Sequence, residues 1–257
     1  MTYTNSKLVN YTRLSPNHSG LRNHSIDTIT IHCVVGQCSV ETLGNIFAPS
    51  SRQASSNYGV GYDGRIGLYV EEKNRSWCSS SSENDNRAIT IEVASDTYDP
   101  YRVNDKAYSA LIKLVADICK RNGIKKLVWS TNKSDRMNHK NGCNMTVHRD
   151  YANKSCPGDY LYGKMGDIAA KVNKILGNTT ATGTSNTFKP YIVKVTADVL
   201  NIRKGPGTNY GKTGSINRGG AYTIVEEKNG IGSDKGWGRL KSGAGWVALD
   251  WVSKISK

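Results

Sequence analysis

Residues 178–186 read Asn-Thr-Thr-Ala-Thr-Gly-Thr-Ser-Asn, with no charge and no large apolar side chain. Such a stretch cannot bury enough surface to offset the entropy of ordering it, so residues 178–189 read as a flexible linker. Each flanking piece must then supply its own core. The two pieces differ in periodicity. Across residues 1–177, short apolar runs alternate with amphipathic helical stripes, which predicts an α/β domain with a central mixed sheet flanked by helices. Across residues 190–257, short strands and glycine turns succeed one another, which predicts a small all-β barrel.

In the first piece, residues 26–35 read as a core strand. Ile29, Ile31 and Cys33 share one face, Thr30 and His32 the other. Residues 88–94 repeat the pattern, with Ile89, Ile91 and Val93 against Thr90 and Glu92. His32 and Glu92 are thus two inward polar positions that can look at one spot. Ser39 caps a short helix ended by Pro49, and residues 58–60 and 65–70 flank Gly61-Tyr62-Asp63-Gly64 as a hairpin. Asn104 caps a helix with Ala107, Leu111, Leu114, Val115 and Ile118 on one stripe, and a second amphipathic helix runs from Asp159 to Leu176. Residues 1–25 read as an irregular arm, Leu127–Trp129 as a short strand and 130–147 as a long polar loop. Trp77 and Ser79–Ser82 read as a surface loop, either a groove wall or plain solvated chain.

The stretch from His148 to Gly158 places an imidazole, the Lys154 ammonium and the Cys156 thiol within eleven residues, and Pro157-Gly158 turns the chain back. Imidazole and thiolate are good zinc ligands, but a catalytic zinc usually takes a third protein ligand. His32 is the candidate. A histidine on an apolar strand is, taken alone, more often a satisfied core residue. A structural zinc set of His139, Cys143, His148 and Cys156 is an alternative, although those separations do not match tight two-residue ligand pairs.

Ile-Thr-Ile-His at 29–32, Ile-Thr-Ile-Glu at 89–92 and His-x5-Lys-x-Cys-Pro-Gly at 148–158 together resemble the type 2 N-acetylmuramoyl-L-alanine amidases, relatives of the peptidoglycan recognition proteins and of many phage endolysins. The resemblance covers roughly residues 20 to 176. It implies one catalytic Zn2+ held by His32, His148 and Cys156, with Glu92 and Lys154 as catalytic residues. The implied reaction cuts the amide between N-acetylmuramic acid and L-alanine in bacterial cell-wall peptidoglycan. Some relatives place a catalytic tyrosine near the hairpin start, where this sequence offers Ser56 or Tyr58. Some recognition proteins bridge two cysteines after the first zinc histidine, which here would be Cys33 and Cys38. The six cysteines otherwise show no paired rhythm, which predicts reduced thiols. Inactive recognition proteins, the rival reading, typically lack the zinc cysteine that Cys156 matches.

Residues 190–255 resemble the bacterial SH3-like (SH3b) domain through Leu-Asn-Ile-Arg-x-Gly-Pro at 200–206 and Gly-Trp-Val at 245–247. That resemblance implies cell-wall binding. Trp246 reads as core; Tyr210, Tyr222, Trp237 and Trp251 read as core or ligand platform.

The net charge is +14. It favours polyanions, either wall teichoic acids or nucleic acid. No basic run and no nucleic-acid motif supports the latter, so no nucleic-acid partner is expected. No run approaches the ~20 apolar residues of a membrane span, so no membrane insertion is expected. Met1 to Lys7 contain no apolar segment of a secretory leader. The expected route is synthesis in the bacterial cytoplasm and action on the wall after release, as endolysins do.

Overall fold

The computed structural model describes residues 3–177 and 190–255, and the expected linker, 178–189, lies outside the described residues. The chain divides into two compact units, Met1–Thr179 and Thr180–Lys257.

The first unit contains β1 (Tyr11–Thr12), β2 (His18–Leu21), β3 (Thr28–Val35), α1 (Val40–Phe47), β4 (Tyr58–Val60), β5 (Ile66–Leu68), β6 (Asn74–Ser76), α2 (Ser82–Arg87), β7 (Ala88–Ser95), α3 (Asp105–Arg121), α4 (Lys133–Met137), β8 (Met145–Val147) and α5 (Gly158–Ile175). Six strands form one sheet in the order β1-β5-β4-β7-β3-β8. Only β4 and β5 pair antiparallel within it, so the sheet is mixed, as expected. The face carrying Ile29, Ile31, Ile89 and Ile91 is covered by α3 and α5 through Leu111, Leu114, Ile118, Leu161, Met165 and Ile168. Each such side chain contributes ~1.5–3 kcal/mol on burial. α1 covers part of the other face, where Leu43, Phe47 and Tyr69 cluster with Val34. Ser39 and Asn104 cap their helices as expected, accepting from the amides of Thr42 and Ala107.

Three expectations are corrected. The N-terminal arm carries β1, which extends the main sheet, and β2, which pairs with β6. Leu127–Trp129 is not a strand: side-chain amides take the place of a ladder. Asn173 accepts from Leu127 N and donates to Leu127 O, and Asn144 accepts from Val128 N. The polar stretch 130–147 holds α4 and β8.

The second unit contains β9 (Tyr191–Val195), β10 (Val199–Arg203), β11 (Lys212–Asn217), β12 (Ala221–Lys228), β13 (Trp237–Leu240), β14 (Trp246–Ala248) and β15 (Val252–Ile255). They form one antiparallel sheet in the order β11-β10-β14-β13-β12-β9-β15. Register shifts after Ile202 and after Ile224 mark bulges that bend their strands. Val193, Leu200, Ile202, Ile224, Leu240 and Val247 fill the core. Trp246 and Trp237 are both buried; Tyr210 and Trp251 are exposed.

Candidate active site

Parallel pairing sets His32 of β3 directly beside Glu92 of β7. Their Nδ1 and Oε1 atoms are 4.0 Å apart. The loop after β8 delivers the other groups. Its fold-back is closed by Arg149 N donating to Cys156 O at 3.1 Å and Tyr151 N to His148 O at 3.0 Å. This brings Cys156 Sγ to 3.4 Å from His32 Nδ1. The rings of His32 and His148 meet edge to face, with centroids 5.0 Å apart. One ligand atom each from His32, His148 and Cys156 lie within 4.8 Å of one another, and so do those of His32, Cys78 and Glu92.

The loop is anchored from beneath. Arg136 of α4, 1% exposed, grips both oxygens of Asp150 at 3.0 and 2.5 Å and donates to Ser130 O. Asp150 in turn accepts from Val147 N, at the end of β8. The Arg136 guanidinium also lies over Trp129, 4.4 Å from the ring centroid.

Burial and the neighbouring His148 hold the His32 pKa down to about 3, so its imidazole is neutral. Burial, then the positive charge of Lys154, lowers the pKa of His148. Burial pushes Glu92 up to about 7, against the pull of Arg52. Hydrogen bonding with Cys33, with burial, raises the Cys156 thiol. His32 Nε2 and Glu92 Oε2 are among four buried polar atoms of the described residues that have no hydrogen-bond partner; the others are Arg149 Nε and Trp237 Nε1.

Sequence reasoning underread the serine run. Ser79 is buried and Ser81 caps α2. The amides of Cys78 and Ser79 donate to the Asp85 carboxylate. Ser80, held at φ 66°, sets its Oγ 3.0 Å from His148 Nε2. Cys78 Sγ reaches to 4.0 Å from Glu92 Oε1. The available signal was a serine, Ser81, followed by the acidic Glu83 and Asp85, the composition of a helix start. Asn84 ties α2 beneath the site through Thr30, Thr146 and Tyr151.

Ser56 and Tyr58 belong to the framework. The Tyr58 hydroxyl donates to Glu72 Oε1 at 2.7 Å and accepts from Ser6 N, while Ser56 Oγ donates to Tyr58 O. Cys33 and Cys38 are not bridged, and all six cysteines are free. The alternative set around His139 and Cys143 forms no ligand cluster among the described residues; His139 Nδ1 lies 3.0 Å from Cys143 O instead.

Residues 22–159, more than half of the chain, match the N-acetylmuramoyl-L-alanine amidase family. The chain belongs to that family. The matched segment contains all five candidate site residues, and the amidase hydrolyses the amide joining N-acetylmuramic acid to L-alanine in peptidoglycan. No curated protein matches the sequence. Among solved structures, an endolysin N-acetylmuramoyl-L-alanine amidase from Clostridium intestinale is 18% identical, covering 67% of this chain and 99% of its own, with a TM-score of 0.48. A mutant endolysin from Bacillus subtilis is 16% identical over 64% of this chain and 99% of its own, TM-score 0.47. A Drosophila peptidoglycan recognition protein is 17% identical over 61% and 93%, TM-score 0.46. The family assignment rests on the sequence match. Among the described residues of the amidase, no helix is long and apolar enough to cross a membrane.

Proposed function

We propose that the amidase is zinc-dependent, with His32, His148 and Cys156 as ligands, Glu92 as proton carrier and Lys154 as oxyanion partner. One observation carries this reading: His32 and Glu92 sit side by side in the sheet, and one loop brings His148 and Cys156 to them. The residues fit the ion. Two imidazoles, at least one held neutral, and a thiol make a donor set that zinc takes, and a dication nearby would answer the partnerless Glu92 oxygen. With His148 Nε2 engaged by Ser80, Nδ1 is the nitrogen left for the ion.

A zinc ion bound there supplies a Lewis acid and lowers the pKa of water. Glu92 is placed to take the proton from the attacking water and to return it to the leaving L-alanine nitrogen. In the metal-free protein burial raises its pKa, and a neighbouring dication would draw it back toward the carboxylate that accepts the proton. The Lys154 ammonium, near enough to depress His148, balances negative charge developing on the carbonyl oxygen.

The antiparallel second unit we read as an SH3-like wall-binding domain, joined to the catalytic domain (1–177) by the 178–189 linker. Its strand-and-turn pattern and its 11 Lys and Arg against 5 Asp and Glu over residues 190–257 support attraction to an anionic wall. Action on whole walls would lyse the cell. The test is mass spectrometry of digested peptidoglycan alongside zinc analysis. New L-alanine amino termini should appear with the zinc-loaded protein and vanish with Cys156→Ser. Full cleavage after rigorous metal removal would refute the zinc reading.

A further inference from the structure

β8 covers only part of its neighbour. It pairs with Ile29, Thr30 and Ile31 of β3 and ends at Val147. The Ile29 amide donates to Asn144 O on that side, and alternate amides of a strand face one neighbour. The Cys33 amide therefore points to the same edge, past the end of β8. The returning loop fills that place with a sulfur: Cys156 Sγ accepts from Cys33 N and lies 3.4 Å from His32 Nδ1. Standing at the strand edge, it reaches both sheet faces. On one it meets His32. On the other it hydrogen-bonds with the Cys33 thiol and packs against the core under α3 and α5.

The hydrolytic site as assigned uses His32 and Cys156 and leaves Cys33 without a task. Cys33 is buried, while Cys156 is half-buried at the site. A small oxidant entering the site meets Cys156 first, with the second thiol directly behind it. An oxidisable thiol backed by a resolving one is the arrangement that yields a disulfide rather than a dead-end acid. Cys33 is fixed in the eight-residue β3. Cys156 sits in a turn closed by Gly158 N donating to Ser155 O at 2.8 Å, so it is the sulfur able to close the remaining distance to a bond of about 2.05 Å.

We propose that Cys33 and Cys156 form a reversible disulfide when the protein meets hydrogen peroxide, and that this bond takes Cys156 away from the metal. The second half rests on the reading of Cys156 as a zinc ligand. The Cys156 thiolate attacks one peroxide oxygen; the O–O bond breaks, the sulfur is oxidised to the sulfenic acid, and the departing hydroxide takes up a proton. Cys33 sulfur then attacks Cys156 sulfur. The S–S bond forms, the S–O bond breaks, and the hydroxide leaves as water with the Cys33 proton. Two thiols and one peroxide give one disulfide and two waters. Zinc takes a thiolate, and a disulfide sulfur no longer carries that charge, so one protein ligand is lost.

The test treats the full-length protein, zinc-loaded and metal-free, with hydrogen peroxide. Remaining thiols are capped with iodoacetamide, and the unreduced digest is mapped by mass spectrometry. A peptide joining residues 33 and 156 is expected in both forms and should disappear with dithiothreitol. In the loaded form a chromophoric chelator should register loss of the bound zinc, and the reduced protein should take zinc up again. Cys33→Ala cannot form the bridge, so its Cys156 should pass on to the sulfinic acid, which dithiothreitol does not reverse. Cys33→Ser gives the same reading should the alanine variant not fold. Absence of the 33–156 peptide from both forms, Cys33 joined to Cys38 instead, or a Cys33→Ala protein that regains zinc as fully as the parent would each overturn the proposal. A bridge that forms while zinc stays bound would refute Cys156 as a ligand and leave the bridge standing.

Discussion

The two sheets treat polar residues in opposite ways. In the first unit Thr30, His32, Thr90 and Thr146 all lie within the sheet with no exposure. In the second unit, among the described residues, no Ser, Thr, Asn or charged side chain is buried to that degree. Buried polar groups cost free energy unless they are paired. The first unit carries that cost because its other sheet face, under α3 and α5, is wholly apolar. It also pairs most of what it buries: Thr30 with Thr146, Thr90 with Ser76, Asn57 with Val70 O. His32, Glu92 and Arg149 are the exceptions among the described residues of this unit, each with one partnerless atom, and the first two are the residues assigned to chemistry. The second unit fills its core with apolar side chains, and the polar lining of a cavity in this unit comes from β10, through Asn201 and Arg203, and from Thr208 in the loop that follows. The contrast separates a site that must hold charge in a dry, fixed geometry from a sheet built for packing.

The sharpest way to break this contrast is to remove a donor from the polar stripe. Cys156→Ser should drop bound zinc from about one per chain toward zero and activity to background, as elemental analysis and product analysis would show, while leaving the fold intact. Next in size is the Arg136–Asp150 pair. Leaving one buried charge unpaired costs ~3–5 kcal/mol. Arg136→Met should therefore lower the denaturation midpoint of the first unit strongly, whereas removing the exposed Arg218–Asp198 pair of the second unit should change stability by less than ~1 kcal/mol.

Glu92 sharpens the contrast through pH. Its folded pKa, about 7, lies above the ordinary glutamate value of 4.5. Its contribution to stability is therefore full below pH 4.5 and lost as pH rises toward 7. In metal-free protein, Glu92→Gln should be up to ~3 kcal/mol more stable than the parent at pH 8 and no more stable at pH 4, by denaturant titration at both values. Equal stabilities at pH 8 would mean that the carboxylate is paired or solvated. The smallest effect belongs to Ser80. Losing an outer hydrogen bond to a ligand histidine typically costs ~10–100-fold in metal affinity. Ser80→Ala should show that loss by chelator competition, and Ser80→Thr should recover most of it.

The sequence made the site more legible than its supports. Period-two alternation put His32 and Glu92 on polar faces of two core strands, and one compact motif held His148, Lys154 and Cys156. What alternation cannot show is register: that β3 and β7 are neighbours, with residue 32 beside residue 92, is settled by packing. The supports were missed for a local reason. Arg136, Asp150 and Ser80 lie in polar stretches whose composition matches solvated loop, and only tertiary pairing turns them inward. Leu127–Trp129 misled because its apolar run is bracketed by asparagine amides, which replace a strand partner. In the second unit the glycine turns were plain, but β11 and β15 were not, since they are mostly exposed and bury too little to show a period.

The measurement that bears most directly on the polar stripe pairs zinc content with amide cleavage in Glu92→Gln. Glu92 is not a proposed ligand, so the variant should hold about one zinc per chain. Loss of the proton carrier should lower the rate of new L-alanine amino termini by ~10²–10⁴-fold. Cleavage close to the parent rate with zinc in place would contradict the account, because the buried carboxylate beside His32 would then have no part in the chemistry.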